Sequence, residues 1–300
     1  MTYANVLTGH GPPEVLQWAE AEPAVAEPGP GQIRIRVRAA GISPTDLAIR
    51  SGVLKAFPLP PRAVLGFEAA GVVDALGPGV TGVRPGDEVA AFLPGLGGYG
   101  ELALATVWTA KPAEVSWADA AGLPSSAEAA VGVLRQLGVR DGETMLLLGG
   151  GGAVGVLATQ LAVASGVRVL SAVGAHDRSL AESLGAEPVD YREWADLTGP
   201  IDAVFDAAGK GGLADAVRLA GGPDRVITLS GHEAAQVGVR LSEPTPDRAP
   251  DALDVTMPLL AAGKLRLRAH RLVPFDRADE AHRLLETGQL HERVILSTEE

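Results

Sequence analysis

Thr144-Met145-Leu146-Leu147-Leu148-Gly149-Gly150-Gly151-Gly152-Ala153-Val154-Gly155 decides the fold of this chain. An apolar run enters four consecutive glycines, and a stretch rich in Ala, Val and Leu follows as far as Ser165. Gly150-Gly151-Gly152-Ala153-Val154-Gly155 fits G-x-G-x-x-G, a pattern that gains meaning when it follows a strand and opens a helix. Each glycine then has a task. Gly150 permits the tight turn, Gly152 lets backbone approach a pyrophosphate, and Gly155 lets the helix pack on the strand. At Ala153 and Val154 the helix N-terminus offers unpaired N–H groups and a partial positive charge to phosphate oxygens. From Thr144 to Val167, about 24 residues, there is no charge, which on length alone could span a membrane. Four glycines in the first third weaken a continuous helix by about 1 kcal/mol each. The expectation is strand, turn and helix, with no membrane partner.

Beyond this unit, Val167–Val173 reads as a second strand, followed by a helix over Arg178–Leu184. Ile201–Ala207 and Arg225–Ser230 are two more apolar strands. Strands alternating with helices imply a parallel sheet covered on both faces. In such a sheet the residue closing the second strand selects the nicotinamide cofactor. A carboxylate there accepts hydrogen bonds from ribose hydroxyls and repels a 2′-phosphate. Here the position falls on Val173 or Gly174, with Arg178 one turn further on and Tyr191 at the end of the next strand. These residues favour NADPH. Asp177 dissents, but its place suits it to cap the helix that carries Arg178.

The first hundred residues have another rhythm. Gln32–Arg38 alternates polar and apolar as a half-exposed strand does, and Val64–Val73 and Asp87–Phe92 are further strands. Between them lie the turns Leu76-Gly77-Pro78-Gly79 and Arg84-Pro85-Gly86-Asp87. Ser116 suits the N-cap of a helix through Ala121, and Ser125 or Ser126 opens a longer helix ending near Leu137. The C-terminal forty residues hold an alternating segment, Lys264–Arg271, a helix over Asp276–Thr287 and a strand over Arg293–Ser297.

Composition narrows the function. Thirty-seven acidic against 25 basic residues give a net charge of −12, with no basic run, which argues against nucleic acid. No cysteine is present, so disulfides, thiolate nucleophiles and thiolate zinc sites are excluded. The six histidines are scattered, with no pair at i, i+3 or i, i+4. Met1–Trp18 lacks the basic start and apolar core of a signal peptide, so a cytoplasmic location is expected.

Several ordered motifs together resemble the medium-chain dehydrogenase/reductase superfamily, in its zinc-free quinone oxidoreductase branch. They are Ala39-Ala40-Gly41-Ile42-Ser43-Pro44-Thr45-Asp46, Leu65-Gly66-Phe67-Glu68-Ala69-Ala70-Gly71, Gly77–Val89 and Gly97-Gly98-Tyr99-Gly100-Glu101. The glycine turn, Leu184-Gly185-Ala186-Glu187 and Asp202–Gly209 complete the series. The resemblance implies an α/β chain: a GroES-like β-rich catalytic domain (1–114 and 265–300) plus a Rossmann doubly wound parallel-sheet domain (115–264). It adds Ser43, Ala207, Leu229 and Ser230 to the cofactor contacts Gly150, Gly152, Ala153, Val154, Gly174, Arg178 and Tyr191. It implies a homodimer, for which Leu265, Leu267 and Ala269 alternating with Arg266, Arg268 and His270 offer a sheet edge.

Zinc-dependent relatives carry a ligand cysteine where Ser43 stands and a ligand histidine where Phe67 stands, so no metal is expected here. Without a strong Lewis acid, hydride addition to a quinone or an α,β-unsaturated carbonyl is the reaction implied, because the acceptor delocalises the charge itself. Ser43 also replaces a common asparagine, Ala48 a tyrosine of some relatives, and Ala129, beside an unusual Glu128, a common threonine. No catalytic acid is assigned. The alternatives are an enoyl reductase of acyl or polyketide chains, with Arg50, Lys55 and Arg62 as candidate contacts, and a weakly active NADPH-binding protein.

Overall fold

The computed structural model describes residues 1–21, 25–55, 57–229, 233–243 and 248–299. Contacts divide the chain into two compact units, Met1–Ser125 with Leu253–Ala262 and Ala269–Glu300, and Ser126–Ala252 with Gly263–Arg268.

The second unit is the parallel sheet that the glycine turn announced. Numbered in chain order, its strands are Thr144–Leu148, Arg168–Val173, Glu187–Asp190, Ala203–Asp206, Val226–Thr228 and Arg240–Leu241. They lie in the order third, second, first, fourth, fifth, sixth, and every neighbouring pair is parallel. This is the doubly wound Rossmann order, in which ligands bind where the order reverses, beyond the carboxyl ends of the first and fourth strands. The first strand is buried along its whole length, as a central strand covered on both faces must be. The helix Ala153–Ala164 returns the chain to the second strand.

In the first unit a seven-stranded sheet runs in the order His270–Pro274, Arg293–Ser297, Ile33–Gly41, Glu68–Leu76, Glu88–Phe92 and Val107–Ala110, with Leu102–Ala105 also pairing with Ile33–Gly41. The alternation in Gln32–Arg38 resolves as expected. Ile33, Ile35 and Val37 enter the core, while Arg34 and Arg36 turn outward to share Asp74. Ser116 caps the helix Trp117–Gly122 by accepting the Asp119 N–H at 3.0 Å. That helix packs on four strands of the same sheet, which is why this unit extends through Ser125. Among the described residues no helix is long and apolar enough to cross a membrane.

Two expected strands change. The strand expected from Val64 begins at Glu68, because Gly66 adopts φ +100°, outside the range of an extended strand. The alternating segment Lys264–Arg271 is strand only from His270, and that strand pairs in parallel with Arg293–Ser297 instead of edging the Rossmann sheet. The Gln160 side chain explains the loss. Its amide donates to the Arg266 carbonyl at 2.8 Å and accepts the Arg266 N–H at 2.9 Å, occupying the groups a strand ladder would use.

A β-carbon at Gly66 would lie 2.7 Å from the Tyr99 ring and 2.8 Å from the Gly98 Cα. Gly66→Ala is therefore expected to lower stability by about 2 kcal/mol or more in urea denaturation, since positive φ and a backbone clash combine. A loss below about 0.5 kcal/mol would contradict the packing described.

Candidate functional site

The glycine turn is built from what each missing β-carbon makes room for. Gly149 has φ +84°, so it, and not Gly150 as expected, makes the tight turn. A β-carbon on Gly150 would fall 1.8 Å from the Ser171 Oγ of the second strand. On Gly151 it would fall 2.3 Å from an Asp177 carboxylate oxygen, and on Gly155 2.3 Å from the Gly149 carbonyl oxygen and 2.6 Å from the Gly150 Cα. Gly155 thus brings the helix onto the turn itself, where packing on the strand was expected. Gly152 differs from these. It is the N-cap, its N–H closes the turn onto the Gly149 carbonyl at 3.0 Å, and a β-carbon there would meet only that oxygen, at 3.3 Å. Packing within the protein demands glycine far less at 152 than at 150, 151 or 155, so the space beside it suits an approaching phosphate. No side chain caps the helix, which leaves its first N–H groups for a ligand.

Beside the turn lies a groove of about 230 Å³. Gly152, Gly174 and Tyr191, three of the expected contacts, line it. Tyr191 is placed there by its backbone N–H, which donates to the Val173 carbonyl at 3.1 Å, and the residue is 58 % exposed. Nothing lies within 4 Å of a β-carbon built on Gly174, so the end of the second strand opens onto free space. Gly150, Ala153 and Val154 belong to the turn and the first helical residues. Arg178 is exposed at the start of the helix Arg178–Ser183 and does not line the groove. Its charge nevertheless reaches Asp190, whose carboxyl is held below the usual range mainly by Arg192 hydrogen bonds and to a lesser extent by Arg178. Ala207 follows the fourth strand and donates its N–H to the Leu148 carbonyl, and the Leu229 N–H is held by the Asp206 carbonyl, both at 3.0 Å. Ser230 lies outside the described residues.

Asp177 does not cap its helix. It lines the groove, and its carboxylate pairs with Arg268 at 3.0 Å. Sequence reasoning missed Asp206, Trp194 and Lys210, which also line the groove. Lys210 directly follows the Asp202–Gly209 motif, and a cation between glycines at a strand end was the available signal.

In the first unit the expected contact Ser43 is already engaged. Its hydroxyl accepts the Asp46 N–H at 3.3 Å while its own N–H donates to the Asp46 carboxylate at 2.9 Å, the two halves of a capping box on the helix Pro44–Ser51, and the hydroxyl also donates to that carboxylate at 2.6 Å. Asp46 is wholly buried and also accepts the Gly66 N–H at 3.0 Å. Burial pushes its carboxyl up to about 6, against the hydrogen bonds from Ser43 and Gly66. Nearby, the buried Tyr99 hydroxyl meets His282 Nε2 at 3.1 Å, and burial pushes that imidazole down to about 3. Phe67 sits edge-on to Phe57, with ring centroids 6.0 Å apart. Glu68 pairs with Arg293 and accepts the N–H and hydroxyl of Ser125 at 2.9 and 2.7 Å.

Two outcomes follow from this geometry. Gly155→Ala is expected to destabilise the chain by about 2 kcal/mol or more, as backbone clashes do, whereas Gly152→Ala lowers the melting temperature far less but weakens dinucleotide binding. Equal effects of the two in thermal melts with and without NADPH would contradict these roles. The second outcome concerns pH. Asp46 binds its proton more tightly folded, at about 6, than at its ordinary value of 3.8, so its contribution is most favourable below about pH 4 and is lost as pH rises through about 6. Denaturation at both ends of this window should show the unmodified chain losing stability relative to Asp46→Asn as pH rises. A constant difference would exclude the shift.

Residues 29–113 match the family description alcohol dehydrogenase GroES-like domain, and residues 184–296 match zinc-binding dehydrogenase. The chain is 33 % identical over 308 residues to 2-methylene-furan-3-one reductase of Solanum lycopersicum, covering 96 % of this chain and 77 % of the relative. It is 32 % identical to the chloroplastic NADPH-dependent alkenal/one oxidoreductase of Arabidopsis thaliana, covering 98 % and 78 %. The solved quinone oxidoreductase of Coxiella burnetii superposes with a TM-score of 0.87 at 26 % identity, over 99 % of both chains. With the Rossmann strand order, the glycine turn and the GroES-like unit in place, the chain belongs to the medium-chain dehydrogenase/reductase superfamily, in the branch that contains the quinone oxidoreductases.

Proposed function

We propose that this chain is an oxidoreductase that delivers a hydride from NADPH to a quinone or to the β-carbon of an α,β-unsaturated carbonyl, without zinc. The observation that carries the reading is the groove at the Rossmann switch point, where Gly152 leaves open space before an uncapped helix. NADPH supplies the hydride when bound. The chain's part is to hold the pyrophosphate at Gly152, Ala153 and Val154 and the 2′-phosphate in the open space at Gly174. Tyr191 offers a hydroxyl donor there and Arg178 a charge. The 2′-phosphate reading is supported by the missing carboxylate at 174, and by Asp177, the nearest acid, already being paired with Arg268. Ala207 and Leu229, on the other half of the sheet, and Ser230 complete the proposed contacts.

Zinc independence is supported by what the corresponding side chains do. Phe67 packs on Phe57, the Ser43 hydroxyl is committed to Asp46, and Glu68 is consumed by Arg293 and Ser125. No side chain is assigned as proton donor; solvent supplies the proton that completes the product. The relatives named above as a furanone reductase and an alkenal/one oxidoreductase support the acceptor class. An enoyl reductase of acyl chains is less well supported. Of its three candidate cations, Arg50 is buried and pairs with Glu286, and Arg62 donates to the Glu20 carbonyl at 3.0 Å. We further propose a cytoplasmic homodimer with the catalytic domain at 1–114 and 265–300 and the cofactor domain at 115–264. The exposed edge strand Arg240–Leu241 is now the better candidate for pairing than Leu265–Ala269.

Mixing the protein with NADPH and a quinone, then an enone, and following nicotinamide absorbance tests the activity. Oxidation with at least one acceptor is expected, whereas stabilisation by NADPH without turnover would favour a binding protein. Arg178→Ala should weaken NADPH by about tenfold and leave NADH nearly unchanged, because only the former carries the 2′-phosphate. Equal losses would remove the 2′-phosphate assignment.

A further inference from the structure

Glu128, the unusual neighbour of Ala129, is buried on the helix Pro124–Leu137, where a lone carboxylate would be costly. Its partner is Arg248, 120 residues away in sequence. The Arg248 Nε donates to one Glu128 oxygen at 2.6 Å, and Nη2 pairs with the other. The side chains are only 4 % and 8 % exposed. One turn along the helix, Gly132 admits the arginine, since a β-carbon there would lie 2.5 Å from Arg248 Cγ.

The remaining guanidinium nitrogen points elsewhere. Nη1 donates to the Ser242 carbonyl at 2.9 Å and to its hydroxyl at 3.1 Å. The Ser242 N–H donates to the Thr228 carbonyl at 2.8 Å, at the end of the fifth strand. The Thr228 hydroxyl donates to Asp206 at 2.8 Å, at the end of the fourth. The other Asp206 oxygen accepts the N–H groups of Ala208 and Gly209, both at 3.0 Å. Asp206 and Ala208 line the groove. One hydrogen-bonded chain therefore runs from Glu128 to the groove wall, and Glu128, Ser242, Thr228 and Asp206 are all buried.

We propose that the Glu128–Arg248 pair is a positioning device for the nicotinamide half of the bound dinucleotide. This rests on the cofactor reading given above. In a doubly wound sheet the two mononucleotides divide between the two strand halves, so the Gly174 and Tyr191 wall of the groove takes the adenosine side, while Asp206 and Ala208 form its wall at the end of the fourth strand. The fourth to sixth strands take the other. There the pair fixes the strand ends through three successive hydrogen bonds, with Arg248 supplying a planar, directional fork. A buried ion pair seldom adds stability over apolar side chains of like volume, so its distinctive contribution here is geometric.

The test compares 2′,5′-ADP, which carries only the adenosine side, with NADPH, on the full-length chain. The double variant Glu128→Met/Arg248→Met removes the fork without leaving a lone charge. It should bind 2′,5′-ADP as the unmodified chain does, bind NADPH about tenfold more weakly because the site is less preorganised, and lose the fluorescence change of bound NADPH. If that variant does not fold, Ser242→Ala and Arg248→Lys should show the same split in smaller degree. Equal losses of both ligands, or loss of neither, would overturn the proposal. An unmodified chain that binds neither ligand would overturn the cofactor reading and this proposal with it.

Discussion

The close approach of backbone to backbone between Gly149 and Gly155 is the constraint on which the Rossmann unit depends. Three neighbours stand where β-carbons would be: the Ser171 hydroxyl, the Asp177 carboxylate and the Gly149 carbonyl. Gly149 itself lies against Ala208, whose N–H nitrogen would be 3.0 Å from a β-carbon. The turn therefore gathers the ends of the first, second and fourth strands around a stretch of bare backbone. That arrangement creates both the groove and the helix N-terminus that faces it. Had any of these three contacts been made by a side chain of the turn instead, the helix would stand away from the sheet and the groove would be filled.

The catalytic unit follows the opposite strategy. Its polar groups are spent on one another. Asp46 takes Ser43 and Gly66, Glu68 takes Arg293 and Ser125, and Arg50 takes Glu286 and the Gly11 carbonyl. Buried charges that are paired in this way hold a fold in register and leave little free acid or base for chemistry. Such a unit suits a reaction whose acceptor accommodates the incoming charge, and the chain's contribution is then orientation and exclusion of water. Asp46 is the exception, since burial raises its carboxyl into the mildly acidic range while its hydrogen bonds oppose the shift.

Much of this was legible in the sequence because it is local. Thr144–Leu148, the glycine run and the helix after it declare themselves by apolar runs and conformational necessity. Gln32–Arg38 and Ser116 do so by alternation and capping. What escaped depends on distant partners. The segment Lys264–Arg271 alternates like a strand, but Gln160, more than a hundred residues earlier, takes the backbone groups a ladder needs. Gly66 breaks its strand, and its neighbours there are Tyr99 and Gly98. Four glycines in a row also hide which one carries positive φ, and only the fold assigns it to Gly149. Asp177 reads as a cap because nothing nearby announces Arg268. Glu128 reads as an anomaly until Arg248 is placed beside it.

The central claim is direct hydride delivery from a dinucleotide held at this turn to a conjugated acceptor, with no metal taking part. It is tested most directly by turning over an enone with NADPH deuterated at both C4 positions, in ordinary water with a strong chelator present, and analysing the reduced product by mass and NMR. Direct delivery requires one deuterium per molecule, at the β-carbon, with a proton from solvent at the α-carbon. Reduced product without deuterium at the β-carbon, or turnover abolished by the chelator, would contradict it.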